Sequence, residues 1–250
     1  MEEVLWRLQS PVWPEDLLPP IDRAKAERGA ALYQERCVSC HAVLDRDDPK
    51  RRVTAQIVGL DKVGTDPRTA LNLVEAVAPA GVLEGSLTPE GTGFYRREAS
   101  ALELLGGLVA GTLKRDPVAV LRAVTNGRLW GIASSPKQGD HAADSEADPV
   151  ASLRAYKARP LNGAWASAPY LHNGSVPTLY DLLLPEDQRP ARFAVGRREY
   201  DPEKVGFRYD GDAPWVLDTA IPGNRNTGHR YGTDLTEADR LALLEHLKTL

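Results

Sequence analysis

Two cysteines and the histidine after them are the residues of this chain best placed to do chemistry. Cys37, Cys40 and His41 lie in CVSCH, residues 37–41, and the 250-residue chain has no other cysteine. Thiols at this spacing serve a disulfide, half of a zinc site, a redox dithiol or the attachment of a haem. A disulfide leaves His41 without a role. A structural zinc needs four ligands, and no second C-x-x-C or H-x-x-x-H pair follows. A thioredoxin-type dithiol follows a strand, whereas Ala24, Ala26, Ala30, Ala31, Leu32 and Glu35 before CVSCH are helix formers, with Asp22 placed to cap. C-x-x-C-H is the haem c motif. Two thiols on one side of a turn reach the two vinyl groups of one porphyrin, and the next imidazole swings under the ring. Cys37 and Cys40 are thus read as covalent anchors of one haem c, and His41 as the proximal iron ligand.

The opposite face of the iron needs its own account. Methionine is the usual ligand in electron-transfer cytochromes, but the single methionine is Met1. His141, His172, His229, His246, water, Tyr or Lys are the alternatives. His246 in ALLEHLKTL stands among Glu245 and Lys248 and reads as a solvated helix position. His141 in QGDHAAD reads as part of an acidic, flexible loop over 138–148. His172 in APYLHNGSVPTLYDLL and His229 in IPGNRNTGHRYGTDL both lie in Gly/Asn/Pro-rich loops beside aromatics, where a loop can be shaped around a cofactor. Arg159 could pair with a haem propionate, and Tyr156, Trp165 and Tyr170 could wall the pocket. Asp66, Asp201 and Glu203 are the carboxylates a calcium site would draw on, but no ligand-dense loop gathers them, so calcium is not expected.

These residues must be positioned by the surrounding elements. LTEADRLALLEHLKTL at the C-terminus predicts an amphipathic helix capped by Thr236 with Asp239, its stripe formed by Leu241, Leu243, Leu244, Leu247 and Leu250. Gly29 and Tyr33 share a face of the helix before CVSCH, and the small Gly29 permits close helix approach. A helix before C-x-x-C-H crossing a C-terminal helix resembles the class I cytochrome c plan. Thr178 and Asp181 read as a cap after Pro177. ALELLGGLVAGTLK, residues 101–114, predicts a buried helix, and DPVAVLRAVTNGRLWG, 116–131, a helix stopped at Asn126-Gly127. With 42% hydrophobic residues, 26% charged residues and a net charge of −4, the chain has globular composition and nothing that favours nucleic acid or an anionic membrane. No run of 18 apolar residues predicts a transmembrane helix, and MEEVLWRLQSPVWPEDLLPP lacks the apolar region of a secretory signal. The expected fold is mainly α: a cytochrome c-like haem domain with long irregular loops and no sizeable β-sheet.

YKARPLNGAWASAPYLHNGSVPTLYDLLLP, residues 156–185, resembles the C-terminal haem domain of the di-haem cytochrome c peroxidase superfamily. Together with RREYDPEKVGF, PGNRNTGHRYG and VGTDPRTA it looks like the rubber (latex-cleaving) oxygenase branch. The resemblance runs from about Pro14 to Leu250 and is weak over 85–150. It implies two haems in two cytochrome-like domains: an N-terminal one where peroxide or dioxygen reacts, and a six-coordinate C-terminal one that relays electrons. With one C-x-x-C-H, this chain resembles the C-terminal half. Residues 1–20 would then be a linker from an upstream domain, and 21–250 a cytochrome c-like domain with inserted loops at about 85–150 and 183–232. The branch's bis-histidine haem implies His229 as distal ligand. His172 is the alternative, its counterpart in peroxidases lying near the inter-haem region. The expected function is electron transfer through a bis-His haem, with an upstream haem domain or redox partner. The alternative is a haem-dependent peroxidase or dioxygenase in its own right. Haem c is attached after export, so the expected location is periplasmic or secreted.

Overall fold

A computed structural model describes residues 8–48, 55–125, 137–138 and 153–250. Its first half contains α1 (Arg23–Arg36), β1 (Ala55–Gly59), α2 (Leu60–Val63), α3 (Arg68–Glu75), β2 (Val77–Pro79), β3 (Glu98–Ser100), α4 (Ala101–Arg115) and α5 (Pro117–Thr125). Then come β4 (Lys137–Gln138), β5 (Ala155–Ala158), α6 (Leu179–Leu182), β6 (Arg192–Val195), β7 (Tyr200–Asp201), β8 (Gly206–Phe207), β9 (Trp215–Asp218) and α7 (Glu237–Thr249). Helix makes up 36% and strand about 15% of the described residues, in a mixed α/β arrangement. This corrects the mainly α expectation. Most strands are two to four residues long, too short for an alternating pattern to show in the sequence.

α1 and α7 cross at the centre of the core. Asp22 caps α1 by accepting from the Lys25 N–H, and Thr236 caps α7 by accepting from that of Asp239. At the crossing, a Cβ on Gly29 would lie 2.0 Å from the Ala242 carbonyl oxygen, so only glycine fits. His246 packs on fully buried Tyr33, with ring centroids 5.1 Å apart, and belongs to this crossing rather than to the solvated surface. Leu243, Leu244, Leu247 and Leu250 join Tyr33, Tyr170, Val176, Leu179 and Val205 in the main core, and Cys37, Val38, Leu161 and Trp165 pack against it. Trp13, within the expected linker, is buried in a second cluster with Ile21 and Ala26.

β1 pairs antiparallel with β5 and parallel with β4. The β1–β5 pairing sets Val58 opposite Tyr156, which carries the 154–159 segment alongside the loop that follows β1. β2 with β3, β6 with β9 and β7 with β8 form separate two-stranded pairs. α4 does form, capped by the Ser100 hydroxyl, but only Leu104 on it is buried. Leu105, Leu108, Val109 and Leu113 are exposed, contrary to the expected buried helix. His141, the Asn126-Gly127 stop and nearly all of the 138–148 loop lie outside the described residues. No helix among those described is long and apolar enough to cross a membrane.

Candidate haem site

The CVSCH segment continues α1 into a tight turn. The Cys37 N–H donates to the Tyr33 carbonyl, and the N–H groups of Cys40 and His41 both donate to the Cys37 carbonyl, at 3.1 and 2.8 Å. These local bonds keep Cys37, Cys40 and His41 on one turn. The buried Tyr33 hydroxyl donates to the His41 carbonyl at 2.7 Å and ties the turn back to the helix crossing. The two thiols are not bonded to each other. Burial pushes the Cys37 thiol up to about 11, with Arg36 opposing, so it is no ready thiolate of the kind a redox dithiol uses.

His41 is oriented from across the chain. Its Nδ1 lies 2.6 Å from the Arg159 carbonyl oxygen. A carbonyl only accepts, so Nδ1 carries the proton and the Nε2 lone pair is left for a metal. Asn162 locks the same contact, accepting from the Leu44 N–H and donating to the Leu44 carbonyl. Burial lowers the His41 pKa against the pull of that carbonyl and favours the neutral, ligating form.

The His229 ring faces His41, with centroids 6.2 Å apart and planes at 51°. His229 sits on a loop docked against the VGTDPRTA segment. Its N–H donates to the Val63 carbonyl at 2.8 Å. The preceding Gly228 has φ +75°, and a Cβ there would lie 2.2 Å from the Thr65 nitrogen. Asp66 fixes the start of the loop. One carboxylate oxygen accepts from the N–H groups of Gly223 and Arg225, the other from that of Arg68. Burial alone would raise the Asp66 pKa, but these three backbone donors outweigh it and hold the carboxyl below its usual range. His229 itself has φ +48°, a left-handed conformation that costs about 1–2 kcal/mol for a residue with a side chain. Burial, then His41, then Arg189 push its imidazole down to about 4, so it too is neutral at pH 7. Its Nδ1 is buried without a hydrogen-bond partner.

The remaining sequence-predicted residues fall into three places. Tyr170 is in the main core with Trp165 and Cys37 packed against it, and its hydroxyl donates to the Ala164 carbonyl. Trp165 makes an edge contact with Trp13 at 5.2 Å. The Arg159 side chain is exposed, and it is the residue's carbonyl that reaches the site. His172 stacks on Tyr156 at 4.0 Å and 19°, and the Tyr156 hydroxyl donates to the Asp66 carbonyl. Asp201 is engaged in its own turn, accepting from the N–H groups of Glu203 and Lys204. Among the described residues, no three His, Cys, Asp or Glu side chains gather as a metal cluster.

These residues fit a haem. Two imidazoles bound end-on to one metal at about 2 Å per bond have ring centres roughly 6 Å apart, and the observed separation is 6.2 Å. Burial favours the neutral form of both rings, and Cys37 and Cys40 lie on the same turn as His41.

Sequence reasoning missed Arg189, whose guanidinium is buried beneath the His229 loop. It also missed the clamping role of Asp66. Neither carries a motif signal, because each acts on backbone groups brought in from distant segments.

Residues 155–194 match a family described as RoxA-like, cytochrome c-like. The matched segment supplies the Arg159 carbonyl, Trp165, Tyr170, His172 and Arg189, while CVSCH and His229 lie outside it. The chain is also similar to two proteins of Sinorhizobium fredii. It is 34% identical to the uncharacterized protein y4iJ, over 97% of this chain and 41% of that protein. It is 30% identical to the uncharacterized protein y4iM, over 83% of this chain and 38% of that protein. The chain thus spans about two fifths of the length of the curated relatives it matches. The family match supports a RoxA-like, cytochrome c-like domain at residues 155–194.

Proposed function

We propose that this chain is an electron-transfer domain holding one haem c through thioethers to Cys37 and Cys40, with His41 and His229 as axial ligands. The observation that carries the reading is the pairing of the two imidazoles at 6.2 Å from opposite ends of the chain. When bound, the haem supplies a one-electron ferric/ferrous couple. The protein's part is orientation. The Arg159 carbonyl fixes the His41 tautomer, and the Val63 carbonyl fixes the His229 backbone. Two rings held by backbone contacts need little rearrangement when the iron changes oxidation state, which suits outer-sphere transfer and leaves no open position for dioxygen. Haem c attachment chemistry supports a periplasmic or secreted location. The length of the relatives supports a neighbouring domain or separate protein as electron partner, with any peroxidase or oxygenase activity residing in the larger assembly.

The test is the optical and EPR spectrum of the chain matured with haem. A low-spin spectrum in both oxidation states is expected, and His229→Ala should turn it high-spin while the haem stays attached. A high-spin wild type would favour an open-site enzyme instead. Loss of the low-spin signal in His172→Ala but not in His229→Ala would assign the other histidine.

A further inference from the structure

Arg189 is only 4% exposed, yet no ion pair among the described residues includes it. Its guanidinium donates to five backbone carbonyls. Two are at the end of α6: Leu184, 3.1 Å from Nε, and Leu182, 3.1 Å from Nη2. Three are on the opposing loop: Asn226 and Gly228, 2.5 and 2.9 Å from Nη1, and His229, 3.2 Å from Nη2. The fork of a guanidinium is thus spent on main chain. Glu186, three residues earlier, takes the other side of the same loop, its carboxylate accepting from the Gly228 N–H at 2.8 Å. One short segment therefore grips both the N–H and the carbonyl of Gly228, immediately before His229. Gly228 and His229, with φ of +75° and +48°, are consecutive left-handed residues. That conformation turns their carbonyls to one side, where buried acceptors need a donor. Arg189 is the donor.

We infer that Arg189 is the positioning residue of the distal histidine: it holds the 226–229 carbonyls in the conformation that aims the His229 imidazole at His41. This deepens the ligand assignment proposed above and rests on it. Lysine, with one compact ammonium, can serve fewer of these carbonyls and should hold the loop loosely. Methionine can serve none.

The test uses the full chain matured with haem, as wild type, Arg189→Lys, Arg189→Met and, as a control, Arg192→Met at an exposed position on β6. Arg189→Met is expected to keep covalent haem and its far-UV circular dichroism, to convert much of the low-spin ferric signal to high-spin, and to recover it with added imidazole. Arg189→Lys should fall between, and Arg192→Met should match wild type. Amide hydrogen exchange over 226–231 should speed up by roughly tenfold in Arg189→Lys. A folded Arg189→Met with wild-type spectrum and wild-type exchange overturns the inference. If Arg189→Met does not fold, Arg189→Lys decides by the same two readouts. If wild type itself is not low-spin, the ligand assignment fails, and exchange over 226–231 alone decides whether Arg189 holds the loop.

Discussion

α7 and α4 are both leucine-rich helices of similar length, yet they use their leucines in opposite ways. On α7, Leu243 and Leu244 are each 1% exposed. On α4, Leu105, Leu108 and Val109 are about half exposed, and the local core is reduced to Ala80, Tyr95 and Leu104. The difference lies in what meets each helix. α7 meets α1 at Gly29, where backbone touches backbone, and the crossing is tied by Tyr33 to the CVSCH turn. Among the described residues, α4 has its N-terminal cap, the Tyr95 hydroxyl donating to the Glu103 carbonyl and the small cluster around Leu104. Apolar content is thus no measure of how well a region can hold a site. The α1–α7 crossing can fix the CVSCH turn because a glycine removes the gap between the helices and one buried hydroxyl transmits their position to His41.

Five substitutions probe that contrast by urea denaturation followed by circular dichroism. The largest effect is expected for Leu243→Ala, a loss of about 2–5 kcal/mol, whereas Leu108→Ala on α4 should stay within about 0.5 kcal/mol of wild type. Equal losses would mean that α4 is as well packed as α7. Next, Gly29→Ala should lose about 1–3 kcal/mol, because its Cβ must push the α7 backbone away. Asp66→Asn should lose about 1–2 kcal/mol at pH 7, since a buried carboxylate that accepts backbone bonds is weakened but not emptied. The folded-state pKa of Asp66 is depressed, so its contribution is present above the unfolded value of about 3.9 and is lost as pH falls through the lower folded value. The gap between variant and wild type should therefore close in acid, and a gap unchanged between pH 7 and pH 2 would refute the charge assignment. A small gain rather than a loss is expected at Gly106, where an added Cβ meets nothing within 4 Å. Gly106→Ala should stabilise by about 0.5–1 kcal/mol through helix propensity.

Local signals in the sequence carried the helical frame well. Asp22, Thr236 and Thr178 cap where their spacing indicates, the Thr178 hydroxyl accepting from the Asp181 N–H. The role of Gly29 followed from its size and its place beside Tyr33. The strands were illegible because two residues in a ladder leave no period, and their pairing partners lie far along the chain. Position on a helix also misled. His246 has charged sequence neighbours, yet its ring meets Tyr33, because helix faces alternate faster than local composition does. At the candidate site, the motif marked the thiols and His41. The Arg159 carbonyl, Asp66 and Arg189 act through main-chain bonds to distant segments, and nothing in residue type announces such a role.

The backbone hydrogen bonds of the CVSCH turn join residues no more than five apart, and the Tyr33 hydroxyl and the Arg159 carbonyl reach His41 besides. The opposite wall needs Val63, Arg189 and His229 to converge, and closing loops of that length carries an entropic cost that only a nearly complete fold recovers. The backbone of the turn can therefore form before the 223–229 loop closes opposite it. Under rising denaturant the order reverses: the His229 face should open first, leaving the turn and anything covalently attached to it for last.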